Sequence, residues 1–127
     1  MLTSVADVVD THAFLARRFR WQWPPDVAGV EEALREAESL AAGRAEYEPA
    51  ALLLALWRRR MDLGDAWEQL PLILAENLAR KIGAEVRLDP RDREVQVLRM
   101  RAIARDPALR ATLDDVRAFL EARRRLP

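Results

Sequence analysis

Apolar residues recur along most of the chain at spacings of three and four, the period of an amphipathic α-helix. The first such stretch spans residues 5–19, and Thr3 or Ser4 can cap it. Its apolar face consists of Val5, Val8, Val9, His12, Leu15, Ala16 and Phe19. The prolines of WQWPP end this helix, because a residue that precedes proline disfavours the helical conformation. A second helix is predicted after Asp26, in VAGVEEALREAESLAAG, and it stops at Gly43.

The next stretch is apolar on all sides and predicts a central, buried helix. Pro49 suits its first turn, and AALLLALW follows with no polar face. The three arginines at 58–60 are expected to form a solvated C-terminal end, where the helix dipole favours cations. A second core helix, LPLILAENLARKIG, ends at Gly83. Between the two core helices lies a short turn, MDLGDAWEQ, at residues 61–69.

The C-terminal third continues the helical pattern. AEVRLD reads as an extended connector, and Asp89 with Pro90 predicts the start of a helix that runs to Asp106. Thr112 and Asp115 form a capping box before a last amphipathic helix. The chain contains no internal repeat and no linker. We therefore predict an all-α fold of about six helices that forms a single domain over residues 1–127.

Composition and charge exclude several classes of protein. The 127 residues have a formal net charge of +0, which makes nucleic acid an unlikely partner and gives no attraction to an acidic membrane. Cysteine is absent, so thiol chemistry is excluded. The N-terminus lacks the pattern of a signal peptide, and no apolar run reaches the roughly 18 residues of a membrane span. A cytoplasmic protein without membrane contact is expected.

Charge is nevertheless unevenly distributed. Residues 99–125 hold eight arginines and four carboxylates, whereas residues 26–48 hold seven carboxylates and two arginines. Solvated faces are the expected explanation for both. Pairing with a partner or with another copy of the chain is the alternative.

The order of these elements resembles the Fic/Doc family, in its death-on-curing branch. The resemblance is carried by the first helix (DVVDTHAFLARRF), the acidic second helix, the two apolar helices around the turn, and the tail (VRLDPRDREVQVL and TLDDVRAFLEARR). It covers nearly the whole chain and implies a Fic/Doc-like bundle of about six helices.

The resemblance can be tested at the turn. The family's catalytic loop reads His-x-Phe-x-Asp/Glu-Gly/Ala-Asn-Lys/Gly-Arg. The corresponding residues here are Met61, Leu63, Asp65, Ala66, Trp67, Glu68 and Gln69. Only Asp65 and Ala66 match, and Leu63 keeps the apolar character of its position.

The substitutions remove the groups that the family's chemistry needs. The motif His is thought to act as a base on a protein hydroxyl that attacks a nucleotide phosphate, and Met61 has no titratable atom. Glu68 places a negative charge where a phosphate would bind, and Trp67 adds bulk there. We therefore expect no enzymatic activity, no catalytic residue and no cofactor.

Two titratable residues need separate interpretation. In the family, the position of Asp65 helps to hold Mg²⁺, so Asp65 is the one metal-ligand candidate. The expected role is instead a helix cap that Glu68 completes as an Asp-x-x-Glu box. His12 is the sole histidine, and we expect its ring to pack at the edge of the core.

The resulting hypothesis is a catalytically degenerate Fic/Doc-like protein, related to the toxins of toxin–antitoxin pairs, that binds an antitoxin-like peptide helix or another protein. The first alternative is an active toxin with a rearranged site, which transfers a phosphoryl or nucleotidyl group from ATP to a protein hydroxyl with Asp65 or Glu68 as base and Mg²⁺ bound. The second is an unrelated helical module that binds nucleic acid or a partner chain through its basic C-terminal helix.

Overall fold

The computed structural model describes residues 1–22, 24 and 26–124. Seven α-helices and two short 3-10 helices occur in this part of the chain, together with one isolated antiparallel bridge between Val86 and Arg124. The α-helices are α1 (Val5–Phe19), α2 (Val27–Ala41), α3 (Glu48–Trp57), α4 (Arg60–Leu63), α5 (Leu70–Lys81), α6 (Arg93–Ala102) and α7 (Leu113–Ala122). The 3-10 helices are Ala45–Tyr47 and Gly64–Trp67. The all-α prediction is confirmed, while the short α4 was not foreseen.

Helix α3 is the centre of the fold, as its apolar sequence predicts. Every residue from Pro49 to Trp57 is buried. The helix packs against α2, α5 and α7, and also contacts α6. Because α3 has no polar face, the other helices must cover it on all sides.

The first two helices begin and end close to the predicted positions. Ser4 caps α1 in a reciprocal box with Asp7, and Asp26 caps α2 by accepting from the amide of Ala28. The predicted stop of α2 is confirmed, since Gly43 follows the last turn with a φ of +79°. The sequence WQWPP follows α1 as predicted, but Trp23 and Pro25 lie outside the described residues.

Helix α6 is shorter than predicted at both ends. Its cap is Asp92, whose carboxylate accepts from the Glu94 amide, and not Asp89. The Asp89 carboxylate instead accepts from the amide of Arg91, forming a local turn that competes with helix. Hydrogen bonds from the Arg123 guanidinium and backbone amides hold the pKa of Asp92 below its usual range. The cap is thereby charged under ordinary conditions and tied to the end of α7.

The segments on either side of α6 were predicted as an extended connector before it and a helix end at Asp106. Val86 makes the one bridge to Arg124, so AEVRLD is extended without joining a sheet. The helix ends at Ala102, before the predicted end at Asp106, and the amides of Ile103 and Ala104 donate to carbonyls three residues earlier, which tightens the last turn. None of the helices in residues 1–22, 24 and 26–124 is long and apolar enough to cross a membrane.

The predicted capping box at α7 is confirmed and yields a first test. The Thr112 hydroxyl accepts from the Asp115 amide, and the Asp115 carboxylate accepts from the Thr112 amide. We expect Thr112→Ala to lower the free energy of unfolding by about 1 kcal/mol, because it leaves a helix-terminal amide without its cap. Chemical denaturation measures this change. Thr112→Ser keeps the hydroxyl and should stay close to wild type, and equal losses in the two variants would contradict the capping role.

Candidate functional site

The candidate site is the connection between α3 and α5, residues 58–69, called the α3–α5 turn below. It contains α4 and the 3-10 helix Gly64–Trp67. Gly64 joins the two at a φ of +52°, a conformation that favours glycine. Met61 is 91% exposed, whereas Leu63 and Ala66 are buried. The turn therefore leaves the Met61 side chain in solvent and is anchored through Leu63 and Ala66.

Trp67 is the main anchor of the turn. Its side chain is buried, and its indole Nε1 donates to the backbone carbonyl of Trp57 at 2.8 Å. The carbonyls in the last turn of a helix lack partners within that helix, so the indole satisfies one of them. Trp67 is thus part of the core and stabilises the end of α3.

Two arginines lie over the Trp67 ring. The guanidinium carbons of Arg60 and Arg99 are 4.7 and 4.8 Å from the ring centroid, within the range of cation–π attraction. Arg99 comes from α6 and its side chain is only 9% exposed, with an oxygen of Glu68 at 3.7 Å from its Nη2. Within the described residues, no acceptor bonds to its Nε or Nη1. The Trp67 ring and the Glu68 carboxylate are therefore the electrostatic partners of Arg99.

Asp65 does not act as the predicted helix cap. It lies inside the 3-10 helix, and α5 is preceded by Gln69, which makes no side-chain cap. The Asp65 carboxylate accepts instead from the backbone amide of Gln22, at 3.3 Å. This contact joins the α3–α5 turn to the segment that follows α1. Across residues 1–22, 24 and 26–124, no group of three or more His, Cys, Asp or Glu side chains is arranged to hold a metal ion.

The start of α5 offers little to an anion. Leu70 and Pro71 form its first positions, and both are buried. Pro71 has no backbone N–H to donate. The exposed side chain of Glu68 stands just before them and carries a negative charge. A helix N-terminus usually attracts phosphate through its dipole and its free amides. At α5 the charge of Glu68 opposes this attraction, and Pro71 removes one of the amides.

Arginines 58 and 59 were wrongly predicted to be solvated. Arg58 pairs with Glu36 of α2 at 2.7 Å, and Arg59 pairs with Glu32 at 3.0 Å. Both arginine side chains are 30% exposed. The acidic face of α2 is therefore partly neutralised by the end of α3 within the same chain, which tightens the packing of these two helices.

The basic C-terminal region is also largely engaged within the chain. Arg101 pairs with Asp115, and Arg123 pairs with Asp92 at 2.8 Å. Arg110 donates to the backbone carbonyls of residues 104 and 105. The formal excess of positive charge in this region thus overstates the cations that remain available to a partner.

The sole histidine packs as predicted. His12 is buried, with its ring centroid 5.3 Å from that of the half-buried Trp21. It belongs to the packing between α1 and the segment that follows it.

A close approach between α2 and the turn was missed by the sequence interpretation. A methyl group placed on Gly29 would lie 2.5 Å from Cγ and 2.7 Å from Cβ of Asp62. The amide of Asp26 also donates to the Asp62 carbonyl at 3.0 Å. The only available signal was a glycine in the first turn of an otherwise good helix, and nothing in the sequence identified the residue opposite it.

Comparisons with protein-family models, with curated proteins and with solved structures find no match for this chain.

The Gly29 contact gives a test of how tightly α2 holds the turn. Gly29→Ala would ordinarily stabilise a helix by up to about 1 kcal/mol. Here we expect a net loss of about 1–3 kcal/mol in the free energy of unfolding, because the added methyl overpacks the contact. Asp62→Gly removes the opposing Cβ, so in that background Gly29→Ala should become neutral or stabilising. A loss of equal size in both backgrounds, measured by chemical denaturation, would refute the contact.

The indole hydrogen bond gives a second test of the site. Trp67→Phe keeps an aromatic ring but removes the donor to the Trp57 carbonyl. We expect a loss of about 1–3 kcal/mol in unfolding free energy, since a buried acceptor is left unsatisfied. Trp21→Phe, at a half-buried tryptophan outside the turn, serves as the matched control and should cost less. Equal losses would show that ring volume, and not the hydrogen bond, stabilises the turn.

Proposed function

We propose that this chain is a non-catalytic, protein-binding domain with a Fic/Doc-like scaffold, related to the toxins of toxin–antitoxin pairs. One observation carries the proposal. At the turn where that family keeps its catalytic loop, Trp67 is buried and bonded to the end of α3, while Met61 stands in solvent without a titratable group.

Neither Asp65 nor Glu68, the two carboxylates considered as a replacement for the missing base, suits that role. Met61 cannot accept a proton from a hydroxyl, which a general base must do. Asp65 is already an acceptor for the Gln22 amide, and Glu68 extends into solvent beside Arg99. Both side chains are exposed, whereas a general base needs to be held within hydrogen-bond reach of the proton that it abstracts.

The phosphate position is likewise unfavourable. A phosphate seated where the family's loop binds it would meet the carboxylate of Glu68 and the ring of Trp67. Two like unit charges about 4 Å apart repel by about 4 kcal/mol at the effective dielectric of a protein surface. Arg60 and Arg99 do lie close by, but both are held against the indole face. These contacts support a binding role over phosphoryl or nucleotidyl transfer.

The scaffold around the turn supports a role in binding. Helices α3 and α5 pack closely on each other, as the resemblance requires. A groove beside the turn that accepts a peptide helix, as an antitoxin does in the family, needs this frame and none of the lost catalytic groups. The nucleic-acid alternative has less support, because the arginines of the C-terminal region are largely paired within the chain.

The proposal predicts that the protein transfers nothing from ATP. Incubation with Mg²⁺, cell lysate and ATP labelled separately at the α- and γ-phosphates should give no labelled protein above a reaction without this chain. An active Fic enzyme in the same lysate serves as positive control. Labelling by the wild type that disappears in Asp65→Ala or Glu68→Ala would overturn the proposal and favour an active toxin with a rearranged site.

A further inference from the structure

A cleft between the start of α1 and the end of α5 holds polar side chains that the proposed function does not use. We call it the α1–α5 cleft, and its polar lining residues are Thr3, Asp7, Thr11, Asn77, Arg80 and Lys81. The buried Leu74 forms an apolar wall. The cleft has a volume of about 510 Å³, within the range of about 300–1,000 Å³ that is typical of small-molecule sites. It lies near the C-terminal end of α5, whereas the α3–α5 turn precedes that helix.

Three uncharged polar groups of the cleft are not used within the protein. Among residues 1–22, 24 and 26–124, the hydroxyls of Thr3 and Thr11 and the side-chain amide of Asn77 make no hydrogen bond. Thr3 is only 7% exposed, so its hydroxyl is largely withdrawn from bulk water. The Nε of Arg99 is sealed in the core, but these three groups remain open to the cleft. Because a buried polar group without a partner is unfavourable, a ligand that bonds to these groups would be stabilised by them.

The charged side chains give the cleft a small excess of positive charge. Lys81 donates one N–H to the Leu2 carbonyl at 2.8 Å, which leaves two of the three donors of its ammonium. Arg80 makes no ion pair within the described part of the chain. The Asp7 carboxylate accepts from the Ser4 amide at 2.9 Å, and this bond together with the Lys81 ammonium holds the pKa of Asp7 below its usual range. Two cations and one ionised carboxylate leave a formal charge of +1 in the cleft.

From this combination we propose that the α1–α5 cleft binds a small carboxylate that carries hydroxyl groups, as hydroxy acids and sugar acids do. The guanidinium of Arg80 matches the two oxygens of a carboxylate, and Lys81 supplies further donors. The open threonine hydroxyls and the Asn77 amide can each donate to and accept from the hydroxyl groups of a ligand. The carbon skeleton of the ligand would lie on Leu74. This inference goes beyond the proposed function and does not rest on it.

A carboxylate fits the charge of the cleft better than a phosphate ester does. A phosphate monoester carries a charge of about −1.5 to −2 at pH 7, whereas a carboxylate carries a single negative charge. The ionised Asp7 stands in the same cleft and would repel the additional charge. A monoanion therefore balances the formal charge of the cleft, and a dianion exceeds it.

A second cavity, of about 660 Å³ between α6 and α7, lacks this unused capacity. Its three carboxylates already pair with arginine, Asp115 with Arg101, and Asp92 and Glu94 with Arg123. A polar ligand there would have to compete with these ion pairs. The uncharged groups of the α1–α5 cleft have no such partners among the described residues.

Isothermal titration calorimetry tests the class of ligand. Glycerate, gluconate and shikimate represent hydroxylated carboxylates, while glucose has hydroxyls without the charge and hexanoate has the charge without hydroxyls. We expect at least one of the three to bind about tenfold or more tightly than glucose and hexanoate, since charged and neutral hydrogen bonds both contribute. Inorganic phosphate and glucose 6-phosphate should bind more weakly than that compound. Binding should also weaken as salt is added, because both cations are exposed.

The sole lysine of the chain allows the cleft to be probed chemically. Acylation with an N-hydroxysuccinimide ester, followed by mass spectrometry, reports on Lys81 and on the N-terminal amine separately. At ten times the Kd of the bound compound, acylation of Lys81 should slow by about tenfold, since only about a tenth of the protein remains free. The N-terminal amine pairs with Glu38 outside the cleft and serves as the internal reference.

Single variants locate the binding groups. Arg80→Gln removes the charged fork and should weaken binding of that compound by about tenfold or more. Thr11→Val removes a hydroxyl while keeping the shape of the side chain, and it should weaken binding by about threefold or more. Arg105→Gln makes the first change at an exposed arginine that does not line the cleft, and it should bind like wild type. Circular dichroism checks that all three variants are folded.

Several results would overturn the inference. These are binding of no hydroxylated carboxylate above glucose and hexanoate, unchanged acylation of Lys81 in the presence of the bound compound, or equal affinity in wild type and Arg80→Gln. Tighter binding of inorganic phosphate or glucose 6-phosphate, with the same sensitivity to Arg80→Gln, would assign the cleft to phosphate instead. Labelling from ATP concerns the α3–α5 turn alone and leaves these measurements unaffected.

Discussion

The whole structure depends on the need to keep α3 out of water on every side. Its residues from Pro49 to Trp57 are buried, so no face of the helix can be left to solvent. Helices α2, α5, α6 and α7 all contact it and supply that cover. A helix enclosed in this way still has polar backbone groups at its ends, and those groups need partners that the surrounding apolar side chains cannot provide.

The α3–α5 turn meets this need at the C-terminal end of α3. The indole of Trp67 donates to the Trp57 carbonyl, and its ring contacts Arg60 and Arg99. Under the proposed Fic/Doc-like scaffold, the same side chain stands at the position of the motif asparagine. Trp67 therefore both completes the core at the end of α3 and fills the turn with a bulky ring, so the packing of the turn and its poor fit to an anion have one physical cause.

Features that depend on neighbouring residues could be predicted from the sequence. The burial of α3 follows from its uninterrupted apolar run, and the box at Thr112 and Asp115 follows from a spacing of three residues. Helix α4 was missed because four residues contain too little of a helical period to be recognised. The start of α6 was misplaced because Asp89 and Asp92 are both suitable helix caps. In the structure the Asp89 carboxylate forms a local turn with the Arg91 amide, and Asp92 caps the helix.

Features of the site that depend on distant residues could not be predicted. Asp65 has a credible local partner in Glu68, yet its carboxylate bonds to the Gln22 amide, 43 residues earlier. In the sequence Arg58 looks like an ordinary solvated residue at the end of a helix, yet its guanidinium pairs with Glu36, 22 residues earlier. Sequence patterns of period 3.6 report which face of a helix is buried, but they do not report which element covers it.

This distinction also changes how the charge of the protein should be interpreted. By sequence, the C-terminal region carries the largest excess of arginine, yet Arg101, Arg110 and Arg123 bond to partners within the chain. Arg117 likewise lies over the ring of Tyr47, at 4.3 Å from its centroid. The end of α5 has a smaller formal excess, but its Arg80 makes no ion pair within the described part of the chain. Availability of charge, and not its count, therefore decides which surface of this protein can attract an anionic ligand.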